Sequence, residues 1–170
     1  MPVFIYDKAN KDNKVNTYAI IDDQSNRTLV SPSLLDSLNP EDCEMIEYSV
    51  NSRSGTKVTC GRKVSSLMIW NLSGDTELEL PPVLECKNIP NNRNEIPTTE
   101  ISACYDHLNG IEREIPQVNN DTDIQILNGR DLIEAHAVHD QKIGPKNTPY
   151  AQKLALGWVI VGEACLGSRN

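Results

Sequence analysis

The chain has 170 residues, a net charge of −8 and 38% hydrophobic residues, which together predict one soluble globular domain over residues 1–170. This acidic balance argues against nucleic acid or an anionic membrane as the main partner, because both require a basic face. No apolar run approaches the roughly 18 residues of a membrane span, and the N-terminal segment lacks the basic-then-apolar pattern of a secretory signal. Five scattered cysteines are typical of reduced thiols, so we expect a cytoplasmic protein.

Strand patterns dominate the first third of the chain. Residues 15–21 are apolar and β-branched, which predicts a strand. Ser31 followed by a proline predicts an N-cap and a short helix over Pro32–Leu38. Residues 44–51 alternate between apolar and polar types, which is typical of a half-buried strand.

The middle of the chain continues this pattern. Residues 52–57 (SRSGTK) predict a turn in which Gly55 takes a positive φ. Residues 58–72 predict one long strand, and residues 77–86 predict another that ends at its proline pair. The polar, proline-rich tract 87–97 predicts an exposed connection.

The last third adds helices to the strands. Thr98 can cap a helix whose apolar positions are spaced by three and four residues: Ile101, Tyr105, Leu108 and Ile111. Residues 123–129 predict a buried strand that turns at Gly129, and residues 130–136 predict a helix directly after it. Residues 158–161 predict one more strand. The whole pattern indicates a mostly β fold, closed or sandwiched, with two or three short helices.

The adjacent acids Asp22 and Asp23 end an apolar run and precede the polar residues Gln24 and Ser25. Two aspartates hydrolyse peptides when they face each other and share a proton, because like charges about 3 Å apart cannot both ionise. One then activates water while the other protonates the carbonyl oxygen. This chemistry needs each aspartate on a rigid turn at a strand end. The segment fits such a turn, and it also fits an ordinary solvated turn.

A second segment favours the catalytic interpretation. Residues 124–136, IQILNGRDLIEAH, resemble the second signature of retropepsin-like aspartic peptidases, where an apolar strand, a glycine and Arg-Asp or Arg-Asn open the single helix beside the catalytic loop. Residues 48–64 lie where that family carries its flap, a β-hairpin that closes over substrate. The chain most resembles the peptidase domain of Pao/Bel-type retrotransposon polyproteins, through four segments in order: 18–30, 80–98, 126–136 and 144–167.

The resemblance implies a retropepsin-like closed β barrel or sandwich with one catalytic aspartate per chain, so that a homodimer assembles the active site. The substrate would be an extended polyprotein peptide bound as an added strand, and no metal or organic cofactor is implied. The residues it implicates are the catalytic Asp22, its turn neighbours Asp23, Gln24 and Ser25, the flap tip Ser52, Arg53, Ser54 and Gly55, and the structural signature Gly129, Arg130 and Asp131.

The acid turn departs from the family motif, which is Asp, then Ser or Thr, then Gly. Asp23 at the second position would bring four carboxyl groups into the dimer interface, at a cost of several kcal/mol unless some are protonated. Gln24 at the third position would enter the left-handed region at a cost of about 1 kcal/mol or more. Three outcomes are open: a slow enzyme that favours acidic pH, a scaffold without catalysis, or a turn whose Asp23 points outward.

Two functions therefore remain open from the sequence. The first is an aspartic endopeptidase in the cytoplasm or within retroelement particles, which the placement of Asp22 favours. The second is a non-catalytic module for peptide binding or dimerisation, which Asp23 and Gln24 favour.

Other residue groups point more weakly to chemistry. Cys104 with His107, and His136 with His139, have spacings that could hold zinc. We expect instead a half-buried helical His107 and a helix-capping His136. Trp70 and Trp158 lie in apolar runs, which indicates core positions. No cysteine has the spacing to a histidine that would single it out as a nucleophile.

Overall fold

The computed structural model describes residues 1–52, 55–93, 96 and 98–162, and it is mostly β. The strands are β1 Pro2–Asp7, β2 Asn10–Ile21, β3 Leu29–Val30, β4 Cys43–Ser52, β5 Gly55–Val64, β6 Leu67–Asn71, β7 Glu77–Glu79, β8 Val83–Glu85, β9 Ile124–Asn128, β10 Asp140–Lys142, β11 Tyr150–Leu154 and β12 Gly157–Val161. The helices are α1 Pro32–Leu38, α2 Thr99–Ala103, a 3-10 helix Asp106–Leu108, and α3 Ile133–His136.

The strands form two sheets. Nine of them pair in the order β4-β5-β8-β3-β9-β2-β1-β6-β7, and β10, β11 and β12 form a second, antiparallel sheet. Neither sheet closes on itself in the described part of the chain, because β4 and β7 stand at opposite ends of the large sheet. The mostly β prediction is therefore confirmed, and the predicted closure of a barrel is not seen.

The main core lies against one face of the large sheet. Alternation along β1 buries Val3 and Ile5 completely, and α1 adds Leu34 and Leu35 to the same cluster. A second cluster forms where the 3-10 helix and its following turn pack on Trp158 of the small sheet. Apolar burial of this kind contributes roughly 25 cal/mol per Å² to folding.

Helix α1 has the bounds that the sequence predicts. The Ser31 hydroxyl accepts a hydrogen bond from the Leu34 N–H at 3.2 Å, which caps the first turn. The helix ends where Asn39 takes a left-handed conformation, with φ 45°. The strand predicted over 15–21 and the buried strand predicted before Gly129 are likewise confirmed as parts of β2 and β9.

Two predicted long strands are each divided. The strand predicted over 58–72 is two strands, β5 and β6, because the chain leaves β5 at Val64 and crosses to pair β6 with β1. The strand predicted over 77–86 is β7 and β8, separated by Pro81 and Pro82. Proline has no backbone N–H to donate to a neighbouring strand, so Pro81 and Pro82 interrupt the pairing. The chain forms one strand before them and another after them.

The predicted helices of the second half are shorter than their patterns suggested. Thr98 caps α2 as expected, but Tyr105 is extended, with φ −131° and ψ 119°, and divides the 101–111 pattern into α2 and a 3-10 turn. Helix α3 begins at Ile133 and not directly after Gly129, because Arg130 and Asp131 bind the neighbouring turn.

Burial also differs from expectation in places. Strand β4 was predicted to be half-buried, yet the β4–β5 hairpin is largely exposed, with Met45 at 68% and Val58 at 57%. Trp158 is buried as predicted, whereas Trp70 is only partly buried and lies beneath the Lys14 ammonium. Strands β1, β3, β10 and β11 were missed. No helix in the described ranges is long and apolar enough to cross a membrane.

The connection over 87–97 is mainly exposed in its described part, as predicted. Ile96 is the exception, because it is 5% exposed and packs with Tyr18 and Ile124. The connection is thus anchored to the sheet beside β2.

Candidate functional site

The acid turn joins two strands that lie on either side of β9. Strand β9 is parallel to β2 and antiparallel to β3, so it runs between the strands that the turn connects. The Asp22 N–H donates to the Asn128 carbonyl at 3.0 Å, which extends the β2–β9 pairing to the first residue of the turn. The backbone at Asp22 is therefore fixed by the sheet.

Within the turn, the Asp22 carboxylate accepts a hydrogen bond from the Gln24 N–H at 2.9 Å. Asp22 is half-buried, whereas Asp23 and Gln24 are exposed. Positive φ among described non-glycine residues occurs at Asn39 and Asn147, so the left-handed strain expected at Gln24 is absent. Asp23 is exposed in the single chain, and the three outcomes that the sequence left open for a dimer stay predictions.

Ser25 organises the turn without contacting Asp22. Its hydroxyl donates to the Arg27 carbonyl at 2.7 Å, and its own carbonyl accepts the Arg130 N–H at 2.9 Å. The resemblance led us to expect that Ser25 and backbone N–H groups of the turn orient the Asp22 carboxylate. In the single chain the Gln24 N–H makes such a contact, whereas the Ser25 hydroxyl bonds to Arg27.

The far end of the turn is held by Asp131, through Thr28. The Asp131 carboxylate accepts the Thr28 N–H at 3.1 Å and the Thr28 hydroxyl at 2.7 Å. The same hydroxyl accepts the Gly129 N–H at 3.2 Å, and Thr28 is fully buried. The buried Thr28 hydroxyl therefore connects two of the four segments that carry the family resemblance, 18–30 and 126–136.

Gly129 occupies a position that no larger residue fits. A Cβ at this glycine would lie 2.4 Å from the Arg27 carbonyl oxygen, which is well inside contact distance. Its own carbonyl accepts a hydrogen bond from His136 Nε2 at 2.8 Å. His136 therefore connects α3 to the end of β9. The prediction that His136 caps the last carbonyls of the helix is wrong.

Asn128 places a polar side chain in the interior beside the turn. It is fully buried, and neither its amide oxygen nor its amide nitrogen has a partner among the described residues. A buried amide without hydrogen bonds costs roughly 1–3 kcal/mol. Asn128, at the position before Gly129, therefore lowers the stability of the fold.

The β4–β5 hairpin is anchored at its root by an ion-pair network. Arg62 Nε donates to Glu85 Oε2 at 2.7 Å, and its Nη1 donates to Asp36 at 2.7 Å. The hydrogen bond from Arg62 holds the pKa of Glu85 below its usual value, and burial opposes this. The Tyr48 hydroxyl also donates to the Glu85 carbonyl. These contacts attach the hairpin to β8 and α1.

Pairing in the hairpin extends from Cys43↔Val64 to Ser52↔Gly55. Gly55 has φ 117°, which agrees with the predicted positive value. The predicted tip residues Arg53 and Ser54 lie outside the described residues. The turn prediction is therefore supported on both sides of the tip.

The histidines and cysteines do not assemble into a metal site in the described ranges, where no group of three potential ligands occurs. His107 is half-buried, as predicted, and pairs through Nε2 with the Pro149 carbonyl at 2.7 Å. The four described cysteines are free.

No family model, curated protein or solved structure matches this chain. The family resemblance therefore depends on the sequence motifs alone. Sequence reasoning missed Thr28 and the Arg62–Glu85 pair, because nothing in a polar local stretch marks a residue as buried.

Proposed function

We propose that the chain is the retropepsin-like aspartic peptidase domain of a Pao/Bel-type retrotransposon polyprotein. It acts as a homodimeric endopeptidase on extended peptide segments. Asp22 supplies the catalytic carboxylate of each protomer, and the β4–β5 hairpin supplies the flap.

The observation that carries the proposal is the placement of Asp22. Its N–H is bound to β9, its carboxylate receives the Gln24 N–H, and the turn behind it is braced by Thr28 and Asp131. A solvated surface turn has no need of a fully buried threonine or of a glycine pressed against its backbone. A carboxylate that must be held within a fraction of an ångström does need such support.

The chemistry requires a second copy of the chain. One Asp22 cannot both activate water and protonate a carbonyl oxygen, so two must share a proton across a symmetry axis. We propose that Asp23, which is exposed in the single chain, stays outside the contact between the two Asp22 carboxylates.

The hairpin is the element proposed as the flap. It extends from its first pairing with β8 at Lys63 to Gly55, which is about 27 Å at 3.4 Å per residue. Its strands are largely exposed, and β4 is an edge strand of the large sheet. In the proposed function the hairpin covers the substrate and pairs with its backbone.

The alternative function is a non-catalytic module that uses the same fold for dimerisation or for holding a peptide. The Asp23-Gln24 sequence favours it, because two catalytic turns must approach closely and these side chains are larger and more polar than Ser or Thr and Gly. Because the alternative module can also dimerise, a dimer by itself does not separate the two functions, and catalysis must be tested.

The test is cleavage of a peptide library between pH 3.5 and 7.5 by three chains. These are the unaltered chain, Asp22→Asn, and the double variant Asp23→Thr, Gln24→Gly. We expect cleavage by the unaltered chain that is strongest at acidic pH, and loss of at least 100-fold in Asp22→Asn, in line with removal of an essential acid–base group.

Activity in the double variant alone would identify a peptidase scaffold that is switched off at two positions. Silence of all three chains, with circular dichroism and sedimentation showing folded dimers, would contradict the endopeptidase and leave the binding module.

A further inference from the structure

A cavity of about 740 Å³ lies between the start of the large sheet and the small C-terminal sheet. None of the turn residues 22–28 lines it, so it is separate from the acid turn. Its volume falls within the range of roughly 300–1,000 Å³ that is usual for small-molecule sites. Most of its wall is apolar and comes from Tyr18, Ile96, Ile115, Leu154, Leu156 and Trp158.

Arg113 lines this cavity and has no ionic or hydrogen-bonding partner among the described residues. Its side chain is exposed, so the cation stands where a ligand would enter. An arginine fork that binds no carboxylate of its own chain is available to one from outside.

Trp158 supplies an apolar ring to the same wall. The residue is 6% exposed and lines the cavity. Its indole N–H approaches the Glu114 carboxylate, because Lys153 first and the indole second lower the pKa of Glu114, although the contact lacks full hydrogen-bonding geometry. Arg113 is therefore the polar group of this wall that is open to a ligand.

The other charged side chains of the wall have partners inside the chain. Lys153 Nζ lies 2.7 Å from the Glu114 carboxylate, so these two charges compensate each other. The Asp75 carboxylate keeps its negative charge and is held within its own turn by the Asn71 side-chain N–H and the Thr76 hydroxyl. Arg113 is therefore the place on this wall where an anionic group of a ligand finds a cation without an ionic partner, and the apolar wall accepts the body of that ligand.

We propose that this cavity binds a small amphipathic monocarboxylate, with its apolar group between the two sheets and its carboxylate at Arg113. The carboxylate can come from a fatty acid or from the free C-terminus of an apolar peptide, since both present the same chemistry.

The experiment measures binding by tryptophan fluorescence in a Trp70→Phe background, so that Trp158 alone reports, with calorimetry as the second readout. The probes are decanoate and acetyl-trileucine, each paired with its neutral counterpart, decanol and acetyl-trileucine amide. We expect the carboxylates to bind at least tenfold more tightly than the neutral probes, which corresponds to one charge-assisted contact worth about 1.4 kcal/mol. The tighter carboxylate identifies the source.

Two variants locate the site. Arg113→Gln changes an exposed side chain and should remove the preference for the carboxylate, whereas Arg27→Gln, an exposed arginine outside the cavity, should leave it unchanged. Ala155→Phe, in the β11–β12 turn that lines the cavity, should block binding of every probe. Equal binding of acids and neutral probes, retained preference in Arg113→Gln, or no binding of either acid would overturn the proposal.

Discussion

At the scale of single residues, the acid turn depends on a few buried polar contacts more than on the acids themselves. Thr28 has three hydrogen bonds, two to Asp131 and one from Gly129. Removing its hydroxyl would leave a carboxylate oxygen and a backbone N–H without partners in a buried place. Such groups carry their full desolvation penalty.

Thr28→Val should therefore lower the free energy of unfolding by about 1–3 kcal/mol, although the two side chains have the same shape. Urea unfolding followed by circular dichroism measures this. Thr28→Ser keeps the hydroxyl and serves as the matched control, with a smaller loss. A Thr28→Val chain as stable as the original would show that the hydroxyl does not brace the turn.

At the scale of elements, the β4–β5 hairpin is a mostly exposed arm with a charged anchor. Its strands contribute little to the core, so the Arg62–Glu85 pair holds much of its root against β8. The Glu85 side chain is 12% exposed, which limits screening by solvent. The anchor should then respond to pH.

The pKa of Glu85 is lowered in the folded chain, first by its hydrogen bond with Arg62. A lowered carboxyl pKa contributes stability that is present above the unfolded value of about 4.3 and is lost as pH falls through the folded value. Glu85→Gln should therefore be less stable than the unaltered chain by about 1–2 kcal/mol at pH 7, and this difference should shrink below about pH 4.

Urea unfolding of both chains from pH 3 to pH 7 checks this expectation. Glu44→Gln is the control, because Glu44 is exposed and lies 3.9 Å from Lys63 in the same hairpin. It should show no comparable pH-dependent difference. A constant gap between Glu85→Gln and the unaltered chain at every pH would mean that charge does not hold the hairpin root.

At the scale of the whole molecule, one described chain contains one acid turn, so the proposed chemistry belongs to a pair of chains. Two protomers that each contribute Asp22 give a site that fails when either carboxylate is lost. This property separates a dimeric peptidase from a monomeric enzyme without any further structure.

Mixing equal amounts of the unaltered chain and Asp22→Asn, after exchange of subunits, should leave about one quarter of the activity of the same total amount of unaltered dimer. Independent monomers would leave one half. A parallel mixture with Lys11→Gln, whose exposed side chain lies at the opposite end of β2 from the acid turn, controls for the effect of exchange itself. An activity of one half in the Asp22→Asn mixture would contradict a shared site.

The sequence by itself determined the local features that depend on neighbouring residues. Ser31 and the following proline placed α1 correctly, because capping and a fixed φ act within one turn of chain. Apolar runs placed β2 and β9, and the glycine of the second signature marked the one position where the backbone of Arg27 leaves no room for a Cβ.

Only the tertiary structure decided which segments meet. Pairing of β6 with β1 divided a strand that looked continuous, and the contacts of Arg130 and Asp131 delayed the start of α3. Burial of Thr28 and Asn128, the outward position of Asp23, and the unpaired Arg113 all depend on residues distant in the chain. Contacts between residues far apart in the chain determine these features. A local pattern of residue types does not specify which distant residues it will contact.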